Sequence, residues 1–314
     1  MRVALRLRRL LARLLPAPVK AFLRRTLPAR LFAPPAIRDV RLAMPVPPSG
    51  LGPSVRPAAV PPFVEFRAPW QSYVPRLLDR DGIAGYEPET MAAFLAAISL
   101  TGATDVFDVG ANVGAFSIVA AAATTARVTA FEPTPDLAAI FRAMAAGNGL
   151  ACEVEAIALG AETGTATLFV SSKSDSSNSL QAGFRRAVGT VEVPVERLDD
   201  YVARSGRVPG VLKVDTETTE PDVLAGGVET IRRVRPWIIC EVLAGRTEAA
   251  LATAFGDLGY HAYHLDGTIP PRETTSIVGD ITYAHRDWLF TPEPLPAAFG
   301  DHYAAWIATL RAAV

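Results

Sequence analysis

Apolar positions change their spacing repeatedly from Pro88 onward, and each change marks an element. Residues 88–100 are apolar almost throughout behind a leading proline, which predicts a buried helix. Residues 105–109 read as a strand, 115–123 as a helix, 127–131 as a strand, 135–147 as a helix and 152–159 as a strand. Two short alternating runs, 163–170 and 189–195, flank a polar Ser-rich loop. Strand 211–214, helix 221–233, strand 237–242, helix 247–258 and strands 261–265 and 287–290 restore the alternation. Strands separated by crossover helices predict an α/β fold with a mostly parallel sheet covered on both faces.

Ahead of this lie two segments of different character. Residues 1–38 contain Arg and Lys but no carboxylate. On a helical wheel Val3, Leu7, Leu10, Leu14 and Leu15 share one arc, and Arg2, Arg6, Arg9 and Arg13 the opposite one. A basic amphipathic helix (1–43) is expected, lying either on an anionic membrane surface or on another protein face. Residues 44–62 are rich in proline and predict an extended linker, with the folded domain spanning 63–314. Aromatics in the segment after Phe63 are expected to cap a pocket or simply to pack.

Composition narrows the classes. The 314 residues are half hydrophobic with a formal net charge of −1. Neither that balance nor any motif points to nucleic acid. Cys152 and Cys240 stand alone in apolar surroundings, so no disulfide framework or zinc cluster is expected, and a cytoplasmic location fits. No uninterrupted apolar run approaches the roughly 18 residues needed to span a bilayer.

The strongest candidate chemistry is DVFDVGANVGAFSIVAA, 105–121. A strand ends near Asp108, a loop turns through Gly110 and Gly114, and a helix follows. That geometry brings backbone close to a ligand and points amides at it. A dinucleotide fingerprint would place a second glycine where Asn112 stands. An acid two residues before Gly110 suits a cationic amino-acid head better than a pyrophosphate. Glu132, ending the second strand about twenty residues on, stands where an acid accepts ribose hydroxyl protons.

Four blocks, DVGANVG, FEP (131–133), VEVPVERLDDYV (191–202) and KVDTETTEPDVLAGG (213–227), keep the order and spacing of the FkbM-type S-adenosylmethionine-dependent methyltransferases, which this chain resembles over about 86–242. The resemblance implies a class I, Rossmann-like methyltransferase fold: a doubly wound, seven-stranded sheet with a β-hairpin insertion. It also implies O-methylation of a hydroxyl on a sugar, glycan or secondary metabolite. By the same resemblance Asp108, Gly110, Asn112 and Gly114 would line the methionine and ribose portion, Glu132 the ribose, and Ala158 the adenine. Family members usually carry Gly where this chain has Thr218. A side chain there either bears a steric cost or reshapes the pocket, which leaves a S-adenosylmethionine binder without catalysis as one alternative. A nicotinamide-dependent oxidoreductase is another.

Methyl transfer to an alcohol needs an aligned oxygen and a base or metal for its proton. Asp215 and Glu241 end neighbouring strands, with Glu217 between them, and all three are the candidate catalytic carboxylates. Asp215 and Glu217 could instead hold Mg²⁺. Lys213 is expected to pair with Asp215. Glu220 and Asp222 read as the acidic first turn of a helix capped by Thr219. His261, His264, His285 and His302 lack metal-ligand spacing and read as packed or surface histidines rather than bases, His264 standing nearest to a base at the end of a late strand. The Ser-rich loop 171–179 reads as solvated.

Overall fold

In a computed structural model of the chain, the structure describes residues 37–69, 72–171 and 177–313. Two strands come first, β1 (Ile37–Ala43) and β2 (Phe63–Pro69), followed by helices α1 (Tyr73–Asp81) and α2 (Pro88–Thr101). Then come β3 (Asp105–Val109), α3 (Ala115–Ala123), β4 (Arg127–Phe131), α4 (Pro135–Gly147), β5 (Cys152–Glu155), β6 (Ala158–Leu159), β7 (Gly164–Ser171) and β8 (Ala187–Glu196). The chain continues through α5 (Leu198–Ser205), β9 (Val211–Val214), α6 (Glu220–Gly226), α7 (Val228–Val234), β10 (Trp237–Glu241) and α8 (Glu248–Leu258). It closes with β11 (His261–His264), β12 (Glu273–Thr274), β13 (Asp287–Thr291) and α9 (Ala298–Ala312).

The main sheet runs β12-β11-β13-β10-β9-β3-β4-β5. Strands β5, β4, β3, β9 and β10 pair in parallel, and β13 is inserted antiparallel between β10 and β11. Seven strands match the expected doubly wound sheet; the eighth is the two-residue edge β12. The expected hairpin insertion is a separate three-stranded sheet, β6-β8-β7.

Strand residues alternate between two cores. Val106, Val128, Ala130 and Val211 pack with α2, α3, α4 and α9. Phe107, Phe131, Leu212 and Ile238 pack with α5 to α8. That is why the parallel strands read as continuous apolar runs. Each run is buried on both faces.

Local chemistry redraws several predicted boundaries. The single helix expected over 221–233 divides at Gly227, because a Cβ there would lie 2.6 Å from Leu198 and one on Gly226 would lie 2.0 Å from the Gly160 carbonyl. Close helix packing selected the two glycines, and the pair breaks the helix. Residues 37–43 are corrected from helical extension to strand: β1 pairs antiparallel with β2 over its whole length. The proline-rich stretch is anchored rather than loose, since the amides of Met44, Arg56 and Val60 donate to Pro62, Ala123 and Ala122. The expected helix over 1–36 lies outside the described residues. Among the described residues, no helix is long and apolar enough to cross a membrane.

Candidate active site

Beyond β3 the chain turns toward β4, whereas beyond β9 it turns toward β10. The loops after these neighbouring strands therefore diverge and leave a crevice at their carboxyl ends. It is an open cleft that encloses about 800 Å³, the solvent at its mouth included. Gly110 and Asn112 come from the first loop, Glu132 and Thr134 from the end of β4, and Ile157 and Ala158 from the start of β6. Asp215, Thr216 and Glu217 come from the loop after β9, while Tyr73, Tyr86, Glu87 and Arg286 close the other side. Tyr73 is one of the aromatics expected to cap a pocket.

Gly110 sits at φ +83°, and a Cβ on it would lie 1.8 Å from the Asp215 carbonyl oxygen. The two loops touch there, and only glycine permits it. Its amide and that of Ala111 both donate to the Phe131 carbonyl, which ties the loop to β4. Glu132 is 5 % exposed and accepts the Asn112 amide at 2.8 Å and the Thr134 amide at 2.7 Å. Burial pushes its carboxyl above the ordinary value, while those amides pull it back.

Two expected cofactor residues stand elsewhere. Asp108 is buried behind the loop and accepts the Ser117 hydroxyl at 2.6 Å; it does not line the cleft. Gly114 faces α4, where a Cβ would meet the Phe141 ring at 2.3 Å, so its smallness serves helix packing. A strand-end acid and a loop glycine are indistinguishable in sequence from ligand contacts when the following helix must also be seated.

The acidic stretch resolves into distinct roles. Asp215 pairs with Lys213 at 2.9 Å, as expected. Burial opposes its charge, yet Lys213 and Arg286 hold its carboxyl below the ordinary value. Glu217 has no such close partner; burial and the Asp215 charge push it up to about 8. Glu241 is 1 % exposed, lies outside the cleft lining, and forms an ion pair with Arg286. The same guanidinium contacts Glu87 at 3.0 Å and Glu217 at 4.0 Å. Burial, with Asp287 and Asp215, pushes Glu87 up to about 8.

Arg286 and Glu87 are the functional candidates absent from the sequence reading. Arg286 precedes β13, which is antiparallel, so the start of that strand lies at the carboxyl edge of its parallel neighbours. Searching only the ends of strands passes over it. His264 donates from Nε2 to the His285 carbonyl at 2.8 Å, stacks on Trp288, and does not line the cleft.

One carboxylate oxygen from each of Asp215, Glu217 and Glu241 falls within 4.8 Å of the others. Mg²⁺ requires near-ideal octahedral oxygen ligands. Here Asp215 already meets Lys213 and Glu241 already meets Arg286, so the donor set does not fit Mg²⁺.

Glu220 does more than begin a helix. It is fully buried, and its Oε1 accepts from the Thr216 amide, the Thr216 hydroxyl and the Thr218 amide. This holds the 216–218 loop in a tight turn with Glu217 at φ 55° and Thr218 at φ 103°. Thr219 makes no side-chain cap. The position where the family favours glycine thus has a backbone that favours glycine. Thr218 bears the strain, of roughly 1–3 kcal/mol, and its hydroxyl lies 3.1 Å from that of Ser179. Replacing Thr218 by Gly relieves strain while losing one hydrogen bond, so thermal unfolding should shift upward by no more than about 8 °C, the scale of about 2 kcal/mol in a large domain. Thr218→Ala keeps the strained backbone without the bond and should melt lower than Thr218→Gly. The reverse order would show that Thr218 is unstrained.

Sheet order, switch-point cleft and glycine loop together define the class I S-adenosylmethionine-dependent methyltransferase fold. Residues 108–263 match the model of the methyltransferase FkbM domain, so this stretch of the chain is a methyltransferase domain of that family. Among solved structures it is similar to methyltransferase FkbM from Methylobacillus flagellatus KT, with 15 % identity, a TM-score of 0.39, and coverage of 60 % of this chain and 43 % of that one. The chain therefore spans less than half of that protein. It is also similar to an O-methyltransferase from Bacillus cereus in complex with SAH (13 % identity, TM-score 0.36, covering 64 % and 79 %). A third is the Thermus thermophilus 16S rRNA N2 G1207 methyltransferase (13 % identity, TM-score 0.40, covering 82 % and 51 %). No curated protein matches significantly.

Proposed function

We propose that the chain methylates a hydroxyl group of a sugar, glycan or secondary metabolite. The observation that carries this reading is Glu217, a cleft carboxylate beside the ionised Asp215, whose neighbouring cation Arg286 stands 4.0 Å away and is shared with Glu87 and Glu241. S-adenosylmethionine supplies an electrophilic methyl group. Gly110 and Asn112 would hold its amino-acid end, Glu132 its ribose, and Ile157 and Ala158 its adenine.

An acceptor hydroxyl is a weak acid, so Glu217 would take its proton as the oxygen–carbon bond forms and the methyl–sulfur bond breaks, with S-adenosylhomocysteine leaving. A base near the working pH is best suited to that transfer. Lys213 keeps Asp215 ionised, and Arg286 spans Glu87, Glu241 and Glu217, fixing the position of the base. No metal is needed for any of these steps.

The dependence of kcat/KM on pH tests the assignment, because it reports ionisation in the free enzyme. Glu217 must be deprotonated to act, so kcat/KM should rise with pH to a midpoint near 8. A rate that is flat from pH 6 to 9 would overturn the role of Glu217.

A further inference from the structure

Beside the cleft, two arginines lean on one ring. The Arg185 guanidinium carbon lies 4.5 Å from the centroid of Phe184, and that of Arg246 lies 5.0 Å from the same centroid. Tyr283 adds a second ring 5.9 Å from Arg185. Phe184 is itself buried, so it is a fixed platform rather than a loose side chain.

Neither guanidinium has a carboxylate partner among the described residues, and the Nε of Arg185 is buried without a hydrogen-bond partner. Two like charges on one ring repel each other, and a buried donor left unpaired costs free energy. An anion held by both guanidinium groups would offset that repulsion.

The platform is joined to the reacting end of the cleft. Ser179 donates to the Glu217 carbonyl at 2.7 Å, the Gln181 amide donates back to Ser179, and the Phe184 amide donates to the Gln181 carbonyl. Arg185 is near enough that its charge acts on Glu217. Arg246 reaches the platform from the loop between β10 and α8.

We infer that Arg185 and Arg246 form an anion-recognition site at the rim of the cleft, and that the acceptor carries a phosphate or carboxylate in addition to its hydroxyl. This rests on the proposed O-methylation for the second clause and on the arginine pair alone for the first. Planar guanidinium groups suit bidentate recognition of either anion. An anionic group held there leaves the rest of a polyhydroxyl acceptor directed toward Glu217.

The test is calorimetric titration of the full chain with glucose, glucose 6-phosphate and glucuronate, in wild type and in the double variant Arg185→Gln/Arg246→Gln. Glucose 6-phosphate or glucuronate should bind at least tenfold more tightly than glucose, and the better of the two identifies the anion. The double variant should lose that advantage while its affinity for S-adenosylmethionine stays within twofold of wild type, which also shows that it is folded. Equal binding of all three sugars, or an advantage that survives the double substitution, would overturn the site. Because the readout is binding, failure of the methyl-transfer reading would leave this result interpretable.

Discussion

Glu217→Gln is expected to lower turnover by about 10²–10⁴-fold, the usual contribution of a positioned base. Gln keeps the length and most of the shape of Glu, so the 216–218 loop should persist, held as it is by Glu220. Affinity for S-adenosylmethionine should stay within a few-fold of wild type, since Glu217 lies at the acceptor end. The variant should also lose the rise of kcat/KM toward pH 8, because the titrating group is gone. Asp215→Asn does not give the same outcome: it removes the partner of a buried Lys213 and should cost stability as well as rate. Steady-state rates, cofactor titration and melting curves on the two variants separate the proton acceptor from its neighbour. Full activity in Glu217→Gln would leave the cleft without its proposed base.

Gly110→Ala is expected to be the most damaging single substitution in the fold. Its Cβ would stand 1.8 Å from the Asp215 carbonyl oxygen, at a φ of +83° that alanine rarely adopts. Backbone, not a flexible side chain, would have to move, and it is the backbone that carries Asp215. A loss of about 4 kcal/mol or more is expected, in the range reserved for severe backbone and packing lesions. Gly102 is the control. It too has positive φ, +64°, but nothing lies within 4 Å of the added Cβ. Gly102→Ala should therefore cost only about 1 kcal/mol. Denaturant melts of both variants measure the difference. If the two cost the same, the contact between the switch-point loops contributes nothing.

Much of this architecture was legible because its strands are short, apolar and buried on both faces. Strands 105–109, 127–131 and 211–214 and helices 115–123 and 135–147 fall where the pattern places them. Pairing across distance is not encoded in spacing, which is why β1 escaped: its partner β2 follows a proline-rich stretch that reads as a linker. Helix α9 carries a plain helical pattern in Phe299, Tyr303, Trp306, Ile307 and Leu310, yet it lies beyond the blocks that suggest the family.

The site divides along the same line. Gly110, Asn112, Glu132, Ala158, Asp215 and Glu217 meet in one cleft, as their loop positions imply. Asp108, Gly114 and Glu241 obey the same sequence rules but turn inward, toward Ser117, Phe141 and Arg286. Direction of a side chain at a strand end is decided by tertiary neighbours. Thr218 is the opposite case: replacing a family glycine implied either a steric cost or a reshaped pocket, and its φ of 103° is the steric cost.

On the proposed function, this cleft places a hydroxyl oxygen, and no other nucleophile, beside Glu217. The most direct measurement supplies S-adenosylmethionine with a ¹³C-labelled methyl group and a panel of hydroxylated, amino and thiol acceptors, then locates the label in the product by NMR. A labelled methyl ether should form with the wild-type chain and be nearly absent with Glu217→Gln. Label found only on nitrogen, sulfur or carbon would contradict it.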